Sequence, residues 1–268
     1  MDKGGDGGRR HAAGRAARSA DGRRAAVPGR SGRGGQGRRY RSVRGERRGD
    51  RRGRGVHRDA GDGSGRRAAV IALIDYGAGN LYSVANALRA AGARDLTITA
   101  DPDVVRAADR IVLPGVGAFA ACMGGLAAIP GMVEALSDRA LRGGVPFLGV
   151  CVGMQLLATT GEEFGHHAGL GWIEGTVRRL PPAPGIAVPH MGWNDVVPAQ
   201  PHPMIVPGEA YFLHSYGFDG DAVLATTDHG GPVTAAIGRD NLLGVQFHPE
   251  KSQRYGIALL ERFLEWRP

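Results

Sequence analysis

Cys151 is the residue of this sequence whose surroundings best fit nucleophilic chemistry. It lies in the stretch PFLGVCVGMQLL (residues 146–157), between an apolar segment typical of a strand and a segment typical of a helix. Gly149 and Gly153 stand two residues to either side, and small residues there allow the sharp strand-to-helix turn that exposes a nucleophile. The first N–H groups of the helix, that of Val152 in particular, would favour a thiolate and a developing oxyanion. Taken alone, the segment fits a buried core cysteine equally well, because cysteine is more often a core residue.

A nucleophilic cysteine needs a base, because free cysteine is only a few per cent thiolate at neutral pH. The sequence LLGVQFHPEKS ends an apolar strand with His248, Pro249 and Glu250. Proline restricts the residue before it to extended conformations, and Glu250 could then reach the imidazole from behind and hold its tautomer. His-Pro-Glu alone is more often a surface turn. A cysteine turn and a histidine at two strand ends together predict a Cys-His-Glu triad.

The other candidate groups of the sequence are weaker. His190 and His214 are competing bases, but neither has a carboxylate two or three residues away, and Cys122 lacks the turn context and is expected to be structural. The segment DYGAGN follows a strand pattern, yet the dinucleotide-binding glycine pattern fails at Tyr82. Three metal ligands at a recognisable spacing do not occur. We therefore expect no metal and no cofactor.

The elements around these motifs alternate between strand and helix patterns. From Ala68 onward, short apolar β-rich runs alternate with helical spacing, which predicts an α/β fold with a mainly parallel sheet covered by helices. Short strand patterns separated by Pro, Gly and Asp in the second half predict added antiparallel strands. Ligands bind beyond the carboxyl ends of the strands in such sheets, and the motifs fall at those ends.

The first 67 residues differ from the rest of the chain in charge and composition. They contain 21 Lys and Arg, 7 Asp and Glu, and 18 Gly, a net charge of +14; the remainder carries 13 basic and 19 acidic residues, or −6, which gives the total of +8. So few large apolar residues cannot offset the entropy of ordering. We expect residues 1–67 to be a disordered Arg/Gly-rich extension, or sequence added by a mis-assigned start, and residues 68–268 to form one domain.

Two cysteines exclude a disulfide framework and are typical of a reducing compartment. No apolar run reaches the length of about 18 residues needed to cross a bilayer, and the basic N-terminus lacks the apolar region of a secretory signal. These features predict a cytoplasmic location.

Together the motifs resemble those of a known family, the triad-type (class I) glutamine amidotransferases. Within that family, the finer pattern is similar to the glutaminase subunits of imidazole glycerol phosphate synthase, from histidine biosynthesis. The resemblance spans residues 70–268 and is carried by the segments IDYGAGNLYSV, LPGVGAF, GVCVGMQLL, PHMGWN, YFLHSY and FHPEKSQ. It implies a flavodoxin-like open sheet with helices on both faces. It also implies a Cys151-His248-Glu250 triad that hydrolyses L-glutamine to glutamate and ammonia through a γ-glutamyl thioester.

The resemblance also implies the residues that surround the triad. Gln155 and Glu163 would contact the amide and amino ends of glutamine, and the backbone at Ser215 and Tyr216 would hold its α-carboxylate. The oxyanion hole would be formed by four residues of two backbone segments: Gly115, Val116, Gly117 and Val152.

The partner implied by the resemblance is a (β/α)8-barrel cyclase subunit, in a heterodimer that passes ammonia through the barrel. Two other hypotheses stay open at the level of sequence. The chain could be the glutaminase subunit of another synthase of the same triad class. Alternatively, the basic extension could bind nucleic acid phosphates and use the remainder as a scaffold.

Overall fold

The computed structural model describes residues 68–268, and the expectations for residues 1–67, including a disordered extension, nucleic-acid binding and a mis-assigned start, lie outside them. The first half alternates strands and helices as the sequence patterns predict. Its elements are β1 (Val70–Ile74), α1 (Leu81–Ala90), β2 (Asp95–Thr99), α2 (Pro102–Ala107), β3 (Arg110–Gly115), α3 (Phe119–Ala127), α4 (Met132–Ser137), β4 (Phe147–Cys151) and α5 (Val152–Gln155).

The second half is richer in strands. Its elements are β5 (Ala158–Gly161), β6 (His167–Ala168), β7 (Ile173–Arg179), β8 (His190–Pro198), β9 (Gly208–His214), β10 (Tyr216–Asp219), β11 (Val223–Asp228), β12 (Pro232–Arg239), β13 (Leu242–Val245), a 3-10 turn (Pro249–Lys251) and α6 (Gln253–Glu265).

Within the described residues, one sheet contains nine strands in the order β2-β1-β3-β4-β13-β12-β11-β8-β9. The pairings from β2 to β13 are parallel, and those from β13 to β9 are antiparallel. A smaller sheet has the order β10-β7-β5-β6. The structure thus confirms the expected α/β architecture with added antiparallel strands.

The buried strands β3, β4 and β13 form the centre of the large sheet. Every residue of β4 and β13 is buried, including the fully enclosed Phe147 and Leu243. Burial of each large apolar side chain stabilises the fold by about 1.5–3 kcal/mol. Helix α1 packs against α6, and α2 packs against α4. The centre of the sheet is therefore a rigid support for whatever lies at its carboxyl edge.

Two helices differ from the sequence expectation. The pattern GMVEALSDRALRGG predicts one helix. In the structure, the α-helix α4 ends at Ser137 and a π-helical turn, Asp138–Arg142, follows it. The helix after Cys151 has only one turn, because the backbone turns at Leu156 and Leu157 and then enters β5. The helix dipole expected behind Cys151 is accordingly that of a single turn. Negative charge at Cys151 would therefore be stabilised mainly by the nearest backbone N–H groups.

No single helix of residues 68–268 has the length and hydropathy needed to cross a membrane. One consecutive pair, Phe119–Ala127 and Met132–Arg142, passes the same test jointly, but it bends by 96°. Within this pair, Phe119, Leu126, Met132 and Leu136 pack in the protein core.

Candidate active site

The register of three parallel strands brings the predicted nucleophile to the centre of the carboxyl edge. Gly115 at the end of β3 is the register partner of Cys151 at the end of β4, and Val245 of β13 is the partner of Val150. The residues that follow β13 therefore pass directly beside Cys151. This arrangement explains how a histidine 97 positions later in the chain reaches the same edge.

The turn at Cys151 is strained and requires small neighbours. The φ of Cys151 is 55°, in the left-handed region that residues with a side chain rarely adopt. A Cβ atom on Gly149 would lie 2.6 Å from the carbonyl oxygen of Gly153, and one on Gly153 would lie 1.9 Å from that of Leu113. The expected function of the two glycines is thereby explained: each allows close backbone contact around the turn.

His248 contacts both Cys151 and Glu250. Its Nδ1 lies 2.8 Å from Oε1 of Glu250, and the ring also interacts electrostatically with the Cys151 sulfur. Both side chains of the His-Glu pair are nearly inaccessible to solvent, at 4% and 2% exposure. The backbone holds the ring in place, since the His248 N–H donates to the Tyr211 carbonyl at 2.9 Å and the Ser252 hydroxyl donates to the His248 carbonyl at 2.6 Å.

The electrostatics of this site favour a charged imidazole. Burial alone would lower the pKa of His248, but the hydrogen bonds to Cys151 and Glu250 and their negative charges outweigh it and raise the pKa to about 9. An imidazolium beside a sulfur stabilises the thiolate form of that sulfur. The three side chains therefore place a positively charged ring next to the sulfur and a carboxylate behind the ring, which suits attack by sulfur on a carbonyl carbon.

A cavity of about 300 Å³ opens over the sulfur and collects most of the predicted site residues. Gly115 and Glu250 do not line it, whereas the remaining site residues expected from the sequence do: Val116, Gly117, Cys151, Val152, Gln155, Glu163, Ser215, Tyr216 and His248. Four further residues line the cavity: Pro189, Leu213, Lys251 and His214, which the sequence suggested only as a competing base. The position of Lys251 directly after His-Pro-Glu is the signal that could have identified it.

The hydrogen bonds of the predicted substrate contacts restrict how each could act. Both amide hydrogens of Gln155 are used, since Nε2 donates to the Tyr216 carbonyl at 2.9 Å and to Oε1 of Gln246 at 3.0 Å. Only the Oε1 atom of Gln155 is left to accept a bond from a ligand. Oε2 of Glu163 accepts the Phe119 N–H at 2.7 Å, which fixes the carboxylate at the start of α3.

The segment Ser215–Tyr216 turns its carbonyls toward the protein. The Ser215 carbonyl accepts the N–H of Leu180 at 2.9 Å, and that of Tyr216 accepts bonds from Gln155 and from His214. In a trans peptide the N–H lies opposite the carbonyl. The groups of this segment that remain for a carboxylate ligand are therefore N–H donors.

The glycine segment after β3 is held from beneath by two buried side chains. The Tyr76 hydroxyl donates to the Pro114 carbonyl at 2.6 Å, and the Cys122 thiol donates to the Val116 carbonyl at 3.3 Å. Burial raises the pKa of both groups, which keeps them protonated as donors. Cys122 thus has the structural role expected from sequence, and its position supports the segment that would bind an oxyanion.

His190 and His214 form a neutral pair instead of a second base. His214 must donate its Nδ1 proton to the Tyr216 carbonyl at 2.9 Å, so its Nε2 accepts from Nδ1 of His190 at 3.0 Å; Asn194 in turn donates to Nε2 of His190 at 3.1 Å. Burial, with a smaller contribution from His229, lowers the pKa of His190 to about 4. Burial likewise lowers the pKa of His214 to about 3.

This pair predicts a specific loss of stability in acid. Because the folded-state pKa of His214 lies below the ordinary 6.5, the unfolded chain binds the proton first as the pH falls, and unfolding becomes easier until the pH approaches 3. Proton uptake at this residue should lower the unfolding free energy of the wild-type chain by about 1.4 kcal/mol per pH unit between pH 6 and 4. We expect His214→Asn, which retains a donor for the Tyr216 carbonyl, to lack this contribution. Urea unfolding across this range measures it. Above pH 7.5 the unfolding free energies of the two proteins should depend on pH in the same way. The same dependence in both proteins below pH 6 would contradict the neutral state assigned to His214.

The chain matches known proteins of one family. The family model for class I glutamine amidotransferases matches residues 72–266. The chain is similar to the imidazole glycerol phosphate synthase subunit HisH of Zymomonas mobilis, at 62% identity over 208 residues that cover 75% of this chain and 98% of the relative. It is also similar to the HisH subunits of Rhodospirillum rubrum, at 53% identity, and Caulobacter vibrioides, at 52%; each alignment covers 74% of this chain and 99% of the relative.

Solved structures share the fold at lower sequence identity. A crystal structure of a glutamine amidotransferase matches with a TM-score of 0.59 at 20% identity, over 73% of this chain and 97% of that one. The structure of PurLQS from Thermotoga maritima matches with a TM-score of 0.55 at 16% identity, over 74% of this chain and 98% of that one.

Proposed function

The chain belongs to the class I glutamine amidotransferase family, and from that premise we propose that it is the glutaminase subunit of an imidazole glycerol phosphate synthase. It hydrolyses L-glutamine to glutamate and ammonia, and the ammonia serves histidine biosynthesis. The identity of 62% to a HisH subunit across nearly its whole length supports this assignment. The observation that carries the chemistry is that Cys151 and His248 line one cavity, with Glu250 2.8 Å from the His248 ring. Residues 68–268 form the amidotransferase domain, in line with the family match over residues 72–266.

In the proposed reaction, the Cys151 thiolate attacks the side-chain amide carbon of glutamine. The C–N bond then breaks as His248 gives its proton to the leaving nitrogen, so ammonia departs and a γ-glutamyl thioester remains. Water then attacks the thioester carbon while His248 takes its proton, the C–S bond breaks, and glutamate leaves as the Cys151 thiolate is regenerated. Glu250 keeps the imidazole oriented and stabilises its charge throughout.

The developing oxyanion would meet backbone N–H groups of Val152 and of the segment from Gly115 through Val116 to Gly117. This proposal is supported by register, because Gly115 lies directly beside Cys151 in the sheet. Glutamine itself would be held at three points. Its α-amino group meets Glu163, its α-carboxylate meets N–H groups near Ser215 and Tyr216, and Oε1 of Gln155 accepts a bond from its amide nitrogen.

The partner we propose is a (β/α)8-barrel cyclase subunit that docks over the cavity in a heterodimer. An apolar rim, defined here as Val116, Met191, Trp193 and Leu213, borders this part of the surface; Val116 and Leu213 also line the cavity. These side chains are 43%, 65%, 48% and 37% exposed, a high fraction for large apolar groups beside a polar site. Met191 of β8 is paired with Leu213 of β9, so they share one face of the sheet edge. A docked partner would cover the rim and keep ammonia from water.

Activation and association are tested together with the full chain, a purified barrel cyclase and its nucleotide ligand. We expect slow glutamine hydrolysis by the chain alone and at least about tenfold faster hydrolysis in the complex.

Trp193→Asp should weaken association by at least about tenfold, because buried aromatic anchors dominate interfaces. Leu141→Asp is the matched control, since Leu141 is 43% exposed on the π-helical turn, away from the cavity. Equal weakening by both variants, or no binding of the cyclase by the unaltered chain, would rule out the proposed docking face.

We propose a cytoplasmic location for this reaction. Both cysteines of the described residues are unpaired. A reducing compartment keeps the Cys151 thiol available for catalysis.

A further inference from the structure

Gln246 lies beside the nucleophile, although nothing in its sequence context marks it as functional. It directly follows β13, whose last residue, Val245, is the register partner of Val150. Gln246 is therefore the lateral neighbour of Cys151 on the adjacent parallel strand. Its side chain is completely buried, and its backbone N–H is anchored on the Ala235 carbonyl at 2.9 Å. Nε2 of Gln246 is 3.8 Å from the Cys151 sulfur.

The direction of the Gln246 amide is fixed by a chain of bonds that starts at a backbone carbonyl. The Tyr216 carbonyl can only accept, so the atom of Gln155 that lies 2.9 Å from it must be the amide nitrogen. That nitrogen also lies 3.0 Å from the Gln246 side chain, whose nearer atom must then be the acceptor Oε1. The opposite atom, which faces sulfur, is therefore the N–H donor. Turning either amide over would oppose two donors or two acceptors in a buried site.

A hydrogen-bond donor in this position stabilises one protonation state of the sulfur more than the other. A neutral N–H donor forms a stronger hydrogen bond with an anion than with a neutral acceptor. Because the amide is already oriented and buried, it stabilises negative charge without having to reorient. The thiol form has the Leu213 carbonyl, 3.9 Å from the sulfur, as its acceptor. The Gln246 donor shifts this balance toward the thiolate, alongside the cation at His248.

We propose that Gln246 is a further catalytic residue, whose side-chain N–H donates to the Cys151 sulfur and stabilises the thiolate before it attacks glutamine. The inference rests on the proposed role of Cys151 as the nucleophile. Gln155 has a second task in this arrangement, since it holds the Gln246 amide in the donating orientation as well as facing the cavity.

The test is the pH dependence of Cys151 alkylation by iodoacetamide in the full chain, with the modified peptide quantified by mass spectrometry. Gln246→Met keeps the length of the side chain but removes the donor. We expect the midpoint of the rate profile to rise by about one pH unit or more, with a rate at pH 7 about tenfold lower. Gln246→Glu keeps the shape and accepts the bond from Gln155, but it presents an acceptor oxygen to the sulfur. Its midpoint should rise at least as far.

Thr234→Val is the matched control. It removes another buried side-chain hydrogen bond, from the Thr234 hydroxyl to the Phe218 carbonyl at 2.7 Å, which does not involve the sulfur. A midpoint that stays at the wild-type value in this control but rises in a folded Gln246 variant supports the inference. Folded Gln246 variants with the wild-type midpoint would overturn it, and so would an equal shift in Thr234→Val. If Gln246→Met does not fold, Gln246→Glu decides.

Alkylation needs no glutamine, so this result is independent of whether the chain is a glutaminase. A shifted midpoint in a chain that hydrolyses no glutamine would refute the proposed function and leave the donor assignment standing. An unshifted midpoint in an active glutaminase would refute only the assignment of Gln246.

Discussion

Cys151→Ala should lower glutamine hydrolysis by at least about a thousandfold, both in the chain alone and in a complex with the cyclase. The substitution removes the atom that forms the thioester, and the remaining groups around the cavity can only position water. The fold should be retained, because alanine is smaller than cysteine and the neighbouring glycines are unchanged. Glutamate release, followed in a coupled assay with matched protein concentrations, measures the effect.

The other cysteine provides the control for this experiment. Cys122→Ala removes a buried thiol of the same size, 1% exposed, that hydrogen-bonds the Val116 carbonyl without facing the cavity. It should retain at least about a tenth of the activity. Glutamine hydrolysis by Cys151→Ala at a rate comparable to Cys122→Ala would show that a different group is the nucleophile.

Gly153→Ala should destabilise the protein by more than about 2 kcal/mol and lower its Tm by at least about 5 °C. The added Cβ would lie 1.9 Å from the Leu113 carbonyl oxygen and 2.8 Å from its carbon, both backbone atoms of the central strand β3. Neither atom can move away without disturbing the sheet, so α5 must shift, and the nucleophile turn shifts with it. Thermal unfolding by circular dichroism measures the stability, and activity should fall in the same variant.

Gly124→Ala is the comparison that isolates the steric effect. Gly124 lies within α3, and a Cβ there would meet no atom within 4 Å. In this position alanine should stabilise the helix by about 0.5–1 kcal/mol relative to glycine. Destabilisation of similar size in both variants would mean that the contact with Leu113 is not the cause.

The parts of the site that the sequence predicts are those defined by local spacing. Gly149, Cys151 and Gly153 stand at fixed offsets around one turn, and His248 and Glu250 are two residues apart. In both cases the chemistry follows from neighbours along the chain. The alternation of strand and helix patterns likewise predicts the parallel half of the sheet, because each element carries its own apolar period.

The parts that the sequence did not predict depend on register and on distant partners. Gln246 looks like an ordinary residue of an apolar strand until the pairing of β13 with β4 brings it to the sulfur. His190 and His214 were considered as bases, but their roles follow from the pairing of β8 with β9 and from the Tyr216 carbonyl. The interruption of the predicted helix at Ser137 by a π-helical turn also has no local signal that we can identify.

Stiffness is unevenly distributed around the sulfur. On one side, Cβ atoms at Gly115 and Gly149 would each meet backbone atoms of Gly153 at 2.6 Å, so β3, β4 and α5 are in close backbone contact. On the other side, a Cβ at Gly117 would meet nothing within 4 Å, at a φ of 101°. Low-energy deformation of this site is therefore expected at Gly117, in the segment proposed to bind the oxyanion, while the sheet holds Cys151 in place. A force applied at the cavity mouth would move the N–H groups proposed to stabilise the oxyanion before it could displace the Cys151 sulfur.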